Sequence, residues 1–164
     1  MQKTEFHSSW DSLVKGVTAA VFVLLISLTI LFSYVSNNVL LVSVLMILYG
    51  SILFLPYLWS PRGYGISDRG VVVKRLIGNL IIENSGEPKR WQWTWWGLRL
   101  FGSGGLYGYF GLFALKGIGR VWMHATNRHN LVIIEDVRGR EYLPSPDEPD
   151  KFIQQARALL SANG

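Results

Sequence analysis

The chain has 164 residues, 49% of them hydrophobic and 13% aromatic, and its 16 Lys and Arg against 11 Asp and Glu give a net charge of +5. That length accommodates one modest domain plus an accessory segment and excludes two full-sized enzyme domains. The lack of cysteine excludes a disulfide framework, a thiolate nucleophile and a Cys-ligated metal site, and fits a reducing compartment.

Apolar residues crowd the first third. Gly16 to Val35 reads GVTAAVFVLLISLTILFSYV, and Val39 to Trp59 reads VLLVSVLMILYGSILFLPYLW; neither run carries a charge, and only Ser36, Asn37 and Asn38 separate them. At about 1.5 Å rise per residue each run crosses a hydrocarbon core of roughly 30 Å, so the pattern predicts a tight antiparallel pair of transmembrane helices. A cleaved signal peptide is the competing reading of the first run, but its apolar length exceeds the usual 7–15 residues or so and no small-x-small site follows. A buried hairpin in a soluble protein is disfavoured because neither run shows a polar face. Lys3 and Lys15 precede the first run, Arg62, Arg69, Lys74 and Arg75 follow the second, and the loop between has no charge. The positive-inside rule then puts a multi-pass chain in the inner (plasma) membrane with both termini in the cytoplasm. Trp10, Tyr57 and Trp59 mark the near headgroup level and Tyr34 the far one, while Pro56 is expected to kink or end the second helix. The division expected is residues 1–60 as N-terminal segment and hairpin, with spans at about 16–35 and 39–59, and residues 61–164 as a cytoplasmic domain.

After Arg62 the runs become short and β-branched, and the punctuation becomes glycine-rich, which predicts strands. YGIS (64–67) and GVVVKRL (70–76) flank a turn at Asp68 and Arg69, and LIIE (80–83) follows the turn at Gly78 and Asn79. Lys89 to Leu100 reads as a strand, or a strand and a loop. RVWMHAT (120–126) and LVIIED (131–136) read as a hairpin across residues 127–130, with REYL (140–143) pairing back across Arg138 and Gly139. In SPDE, Ser145 is the expected N-cap, Pro146 the first helical residue and Glu148 the capping-box partner. Asp147, Glu148 and Asp150 complement that helix's positive end, and Phe152, Ile153, Ala156, Leu159 and Leu160 form one apolar face. Such a stripe must be buried against the preceding strands.

The stretch LRLFGSGGLYGYFGLF (98–113), followed by MHATNRHNLVII (123–134) and REYLPSPDEPDKFI (140–153), resembles the bacterial PH-like (pleckstrin-homology-like) domain family, over roughly Tyr64 to Leu160. The resemblance implies a seven-stranded β-barrel plugged at one end by a C-terminal α-helix, here preceded by two transmembrane helices. Members are often attached to membrane-spanning hairpins, and the family implies no catalytic residue and no agreed ligand. One departure stands out. WQWTWW (91–96) occupies a place where relatives commonly carry a short strand with scattered polar residues.

Candidate sites follow from residue chemistry. The glycines of FGSGGLYGYFG (101–111) do not give G-x-G-x-x-G, since Tyr107 stands where the third is needed; they suit a bent or bulged loop in which Leu106, Tyr107, Tyr109 and Phe110 offer apolar contact to a membrane or partner. Strand alternation sends Trp91, Trp93 and Trp95 to one face and Trp96 to the other. Two readings of the Trp run stay open: rings entering the core, or rings at the headgroup layer or a partner, with Lys89 and Arg90 meeting lipid phosphates. Lys74 and Arg75 are further candidate phosphate contacts. His7, His124 and His129 lack metal-ligand spacing, no G-x-S-x-G elbow occurs, and no catalytic residue, metal or cofactor is expected. The basic residues are too dispersed for nucleic acid. The reading is therefore a non-enzymatic, membrane-anchored scaffold for protein assembly, with another membrane protein or a second copy as partner. Direct recognition of anionic lipid headgroups, or a role as accessory subunit of a membrane enzyme or transporter, are the alternatives.

Overall fold

The structure is a computed structural model that describes residues 4–83, 85–93 and 97–163. Helix α1 (Ser12–Val35) begins four residues before the expected span, because Asp11 caps it: its Oδ1 accepts the Val14 N–H at 2.8 Å. Helix α2 (Val39–Trp59) is capped in the same way by Asn38, and it runs three residues past Pro56 before Ser60 closes it by donating its N–H to the Pro56 carbonyl. Both helices are long and apolar enough to cross a membrane. Their apolar side chains lie outside the protein: α1 buries Val14, Thr18 and Leu25, and α2 buries none. A core helix of a soluble domain would hide its apolar face, so this exposure suggests membrane association.

A strand the sequence pattern did not announce precedes the helices. β1 (Thr4–His7) pairs antiparallel with β2 (Gly63–Ser67), setting Phe6 opposite Tyr64 across the whole helical hairpin. β3 (Gly70–Lys74) and β4 (Leu80–Ile82) complete a four-stranded antiparallel sheet. The second sheet contains β5 (Lys89–Trp91), β6 (Gly97–Gly104), β7 (Tyr109–Leu115), β8 (Gly119–Ala125), β9 (Leu131–Glu135) and β10 (Glu141–Pro144) in the order β5-β9-β10-β8-β7-β6. Helix α3 (Pro149–Asn163) closes the chain. This is the expected PH-like outline, strands followed by a C-terminal helix, but as a sandwich. Among the described residues ten strands form two sheets, and no ladder joins the sheets into a closed barrel.

Strand alternation divides the interior in two. Between the sheets lie Phe6, Tyr64, Val71, Val73, Ile82, Val132, Ile134 and Tyr142, covered by Phe152, Ile153 and Ala156 of α3. Phe152 stands edge-on to Phe6 at 5.2 Å and to Tyr64 at 6.1 Å. On the other face of the six-stranded sheet, Tyr109, Phe113, Val121, Met123, Leu131 and Leu143 pack against Val14, Leu13 and Trp10 from the start of α1 and against Trp91 and Trp93. The first turns of the apolar helix are thus part of the domain's own core.

Local expectations are corrected in three places. The glycine-rich stretch 101–111, expected as a bent or bulged loop, belongs to β6 and β7 except for residues 105–108, because its glycines let the two strands approach closely and bend together. β8 and β9 do not form a hairpin: β10 lies between them, parallel to β8 and antiparallel to β9, with Tyr142 opposite both Trp122 and Ile134. The segment 126–130 is held open by groups from elsewhere. Thr126 and Asn127 donate their N–H groups to Ser145 Oγ, the Thr126 carbonyl accepts the Asp11 N–H, and Arg128 donates from its backbone and its Nε to Asp11 Oδ2. The N–H groups of residues 126 to 128 are thus satisfied from outside the segment, and only that of His129 is met within it, by Asn127 Oδ1. For the same reason Ser145 does not cap α3; it is fully buried in this network, and the helix starts at Pro149, with the Glu148 carbonyl accepting the Phe152 N–H. Asp147 accepts from Ser9 N–H and Oγ rather than facing the helix.

Asp11 carries much of this arrangement. Burial acts to raise its pKa, but the hydrogen bonds from Val14 and Arg128 outweigh that effect and hold the carboxyl below its ordinary value. A depressed folded pKa means that the stabilisation is complete at neutral pH and disappears as pH falls from about 4 through the lower folded value. Denaturant unfolding in detergent should show Asp11→Ala less stable by about 3 kcal/mol at pH 7, with the difference from the unmodified chain shrinking below pH 4. A loss under about 0.5 kcal/mol would remove Asp11 from this role.

Candidate functional site

The hairpin of β6 and β7 brings the domain to the helices. It bends where Gly102 and Gly111 face one another at φ of 105° and 119°: a Cβ on Gly102 would sit 2.0 Å from the Phe110 carbonyl oxygen, and one on Gly111 2.2 Å from that of Phe101. A bulge between Arg99 and Phe101 adds to the bend. At its tip Tyr107 takes φ of 58°, a left-handed conformation costing a non-glycine residue of order 1 kcal/mol. The surroundings hold it there. Its N–H donates to Thr18 Oγ1 of α1 at 3.1 Å, and its carbonyl accepts from Ser60 Oγ at the end of α2 at 2.7 Å. Its ring lies 5.9 Å from Trp10, 6.3 Å from Phe22 and 5.3 Å from Tyr57. One residue of the sandwich therefore bonds to both apolar helices.

Next to the hairpin is a groove of about 490 Å³ between the end of α2 and the six-stranded sheet. Leu55, Pro56 and Trp59 of α2 form one wall, and Phe101, Phe110 and Trp122 of β6, β7 and β8 form the other. Arg75, just beyond β3, and His124 of β8 supply its charge chemistry. Arg75 Nη2 lies 3.3 Å from His124 Nδ1 and 3.4 Å from its Nε2. Burial first, and the adjacent guanidinium second, push the His124 pKa down to about 3, so this imidazole is neutral and accepts. Arg75 Nε is buried without a hydrogen-bond partner. No carboxylate among the described residues pairs with this guanidinium, whereas Lys74, Lys89, Arg90, Arg128, Arg140, Lys151 and Arg157 each have one.

The residues singled out in the sequence fall in different places. Lys74 pairs with Glu5 at 2.5 Å, turned away from the groove that its neighbour Arg75 enters. Lys89 and Arg90 are exposed and reach Glu87 and Asp150. Trp91 and Trp93 are half-buried against the second core with their indole N–H groups unpartnered, and Trp93 lies 6.0 Å from Tyr109. Trp95 and Trp96 lie outside the described residues. Tyr107 and Tyr109 are buried within the chain, Tyr109 with its hydroxyl toward Asp11, while Leu106 is half-buried and Phe110 lines the groove. Nothing in the sequence marks His124, Trp122 and Trp59 as groove residues. Alternation along β8 puts Trp122 and His124 on one face, but the approach of α2 to that face has no local signature. No group of three His, Asp or Glu side chains suitable for a metal occurs among the described residues.

Comparison with known proteins gives one match. A family model described as Bacterial PH domain matches residues 62–160. No curated protein and no solved structure matches.

Two substitutions test the clamp. Tyr107→Ala removes a buried ring and should lower stability by about 3–5 kcal/mol and raise amide exchange across residues 104–110, whereas Tyr107→Phe, which keeps the ring, stays near the unmodified chain. Gly102→Ala, which meets backbone, should be at least as damaging as Tyr107→Ala. Unaltered exchange in Tyr107→Ala would show that the helices are held by something else.

Proposed function

This chain belongs to the bacterial PH domain family, and on that premise we propose that it is a non-enzymatic, membrane-anchored binding module that assembles with another membrane protein, or with a second copy of itself, at the inner face of the plasma membrane. PH domains are generally binding modules, which supports the class. In this reading residues 1–60 carry the anchor, with both termini cytoplasmic, and residues 61–164 form the module, to which Thr4–His7 adds a strand. The flanking cations and the uncharged loop between the helices support that orientation.

The observation that carries the assembly reading is the free edge of β6. This strand is eight residues long and ends its sheet, and among the described residues nothing pairs with its outer edge. Leu98, Leu100 and Phe101 are exposed along it, Leu98 to 67% and Phe101 to 74%. A long exposed apolar edge is a template for strand addition, and natural proteins usually blunt such edges with charge or cover them. Its hairpin is clamped to both helices through Tyr107, so the edge is presented at a fixed height and angle to the bilayer. A fixed platform reduces the ordering cost of association.

Chemical cross-linking in native membranes, followed by sizing of the solubilised particle, tests this proposal. The expected result is a species larger than one chain that Leu98→Lys reduces several-fold while leaving the fold intact. A particle of one chain with nothing cross-linked to it contradicts the assembly role.

A further inference from the structure

The groove at the end of α2 has the composition of a lipid site, and we propose that it holds one anionic membrane phospholipid, its phosphate on Arg75 and the upper part of an acyl chain along Leu55, Pro56, Phe101 and Trp122. The inference rests on the membrane placement proposed above. The groove is centred on Arg75 and shares Phe101 with the proposed assembly surface along the outer edge of β6.

Three features select this occupant. First, one wall of the groove is the last turn of an apolar helix whose side chains are exposed, so a hydrocarbon chain passes from the bilayer into the groove without crossing water. Second, the only cation lining it is Arg75, half-buried and without a carboxylate partner among the described residues, its Nε unpartnered and its Nη2 against a neutral imidazole. A guanidinium keeps its charge in any such setting, so an anion offsets a desolvation cost that the neutral His124 imidazole meets only in part. Its planar fork matches phosphate oxygens. Third, a cavity of about 490 Å³ with mostly apolar walls fits a headgroup and the first part of a chain, and it offers a free inorganic anion or a nucleotide few donors.

The test uses the full chain, purified in mild detergent, stripped of lipid, and titrated with phosphatidylglycerol, phosphatidylcholine or inorganic phosphate, with bound lipid counted by native mass spectrometry. The expected result is one phosphatidylglycerol per chain, retained at least tenfold better than phosphatidylcholine, with no effect of inorganic phosphate. Arg75→Gln should lose that preference tenfold or more, Arg75→Lys should keep part of it, and Lys74→Gln should match the unmodified chain. Phe101→Glu, an exposed substitution that sets a negative charge at the groove mouth, should show the same loss even if Arg75→Gln folds poorly. Equal retention of the two lipids, or full preference in both Arg75→Gln and Phe101→Glu, overturns the proposal, and competition by inorganic phosphate overturns the lipid in favour of an anion pocket. A chain that stays in solution without detergent refutes the membrane placement itself, whereas one that needs detergent but shows no anionic preference refutes the groove assignment alone.

Discussion

Everything in this molecule turns on one residue held between two helices and a sheet. Tyr107 donates its backbone N–H to α1, accepts from the end of α2 through its carbonyl, and fills the space among Trp10, Phe22 and Tyr57 with its ring. Its left-handed backbone is tolerable because both backbone partners and three aromatic neighbours fix it. The glycines around it serve the same contact. Gly105 lies so close to α1 that a Cβ there would meet the Val17 methyls at 3.3 Å, and Gly108 so close to β8 that one would stand 2.8 Å from the Ala125 carbonyl oxygen. A loop that looks in isolation like a nucleotide cradle is therefore a joint.

A second joint, polar rather than aromatic, lies at the other side of α1. Asp11 starts the helix and binds Arg128, while Ser145 Oγ collects the N–H groups of Thr126 and Asn127, and the Tyr64 hydroxyl donates to the His124 carbonyl and accepts the Ser145 N–H. These buried groups sit in a low-dielectric interior where each unmet partner is costly, so they fix a single arrangement of the segments they join. Their topological result is the placement of β10 between β8 and β9. Their mechanical result is that the chain enters and leaves the apolar hairpin through points bonded to the sandwich.

How much of this was legible in the sequence depends on the range of the interaction. The helices declared themselves by length and uniform apolarity, β2 to β4 and β8 to β10 by short runs, mostly β-branched or aromatic, between turn residues, and the buried face of α3 by the spacing of Phe152, Ile153 and Ala156, whereas β7 lies in a stretch whose glycines read as a loop. What escaped was set by partners far along the chain. TEFH is too short to declare a strand, and its pairing depends on residues 63–66, beyond both helices. Ser145 has every local mark of a helix cap, yet a buried backbone N–H pair from residues 126 and 127 claims it. Of the Trp run, Trp91 and Trp93 pack against one core although β5 ends at Trp91, and only the approach of Tyr109 and α1 makes that face a core. The charge of Arg75 is legible in the sequence; its lack of a carboxylate partner among the described residues is a property of the fold.

The structure thus joins a PH-like sandwich to an apolar helical hairpin without a flexible linker, leaving a bare strand edge and, at Arg75, a half-buried guanidinium with no carboxylate partner among the described residues. Because the chain has no native cysteine, two introduced at Asn37, in the loop between the helices, and Asp68, in the β2–β3 turn, are the only sites for spin labels. Pulsed electron resonance on that pair in lipid nanodiscs measures the rigidity of the joint directly. A single narrow distance distribution is the predicted result, and a broad or multi-peaked one would contradict the claim that hairpin and sandwich form one body.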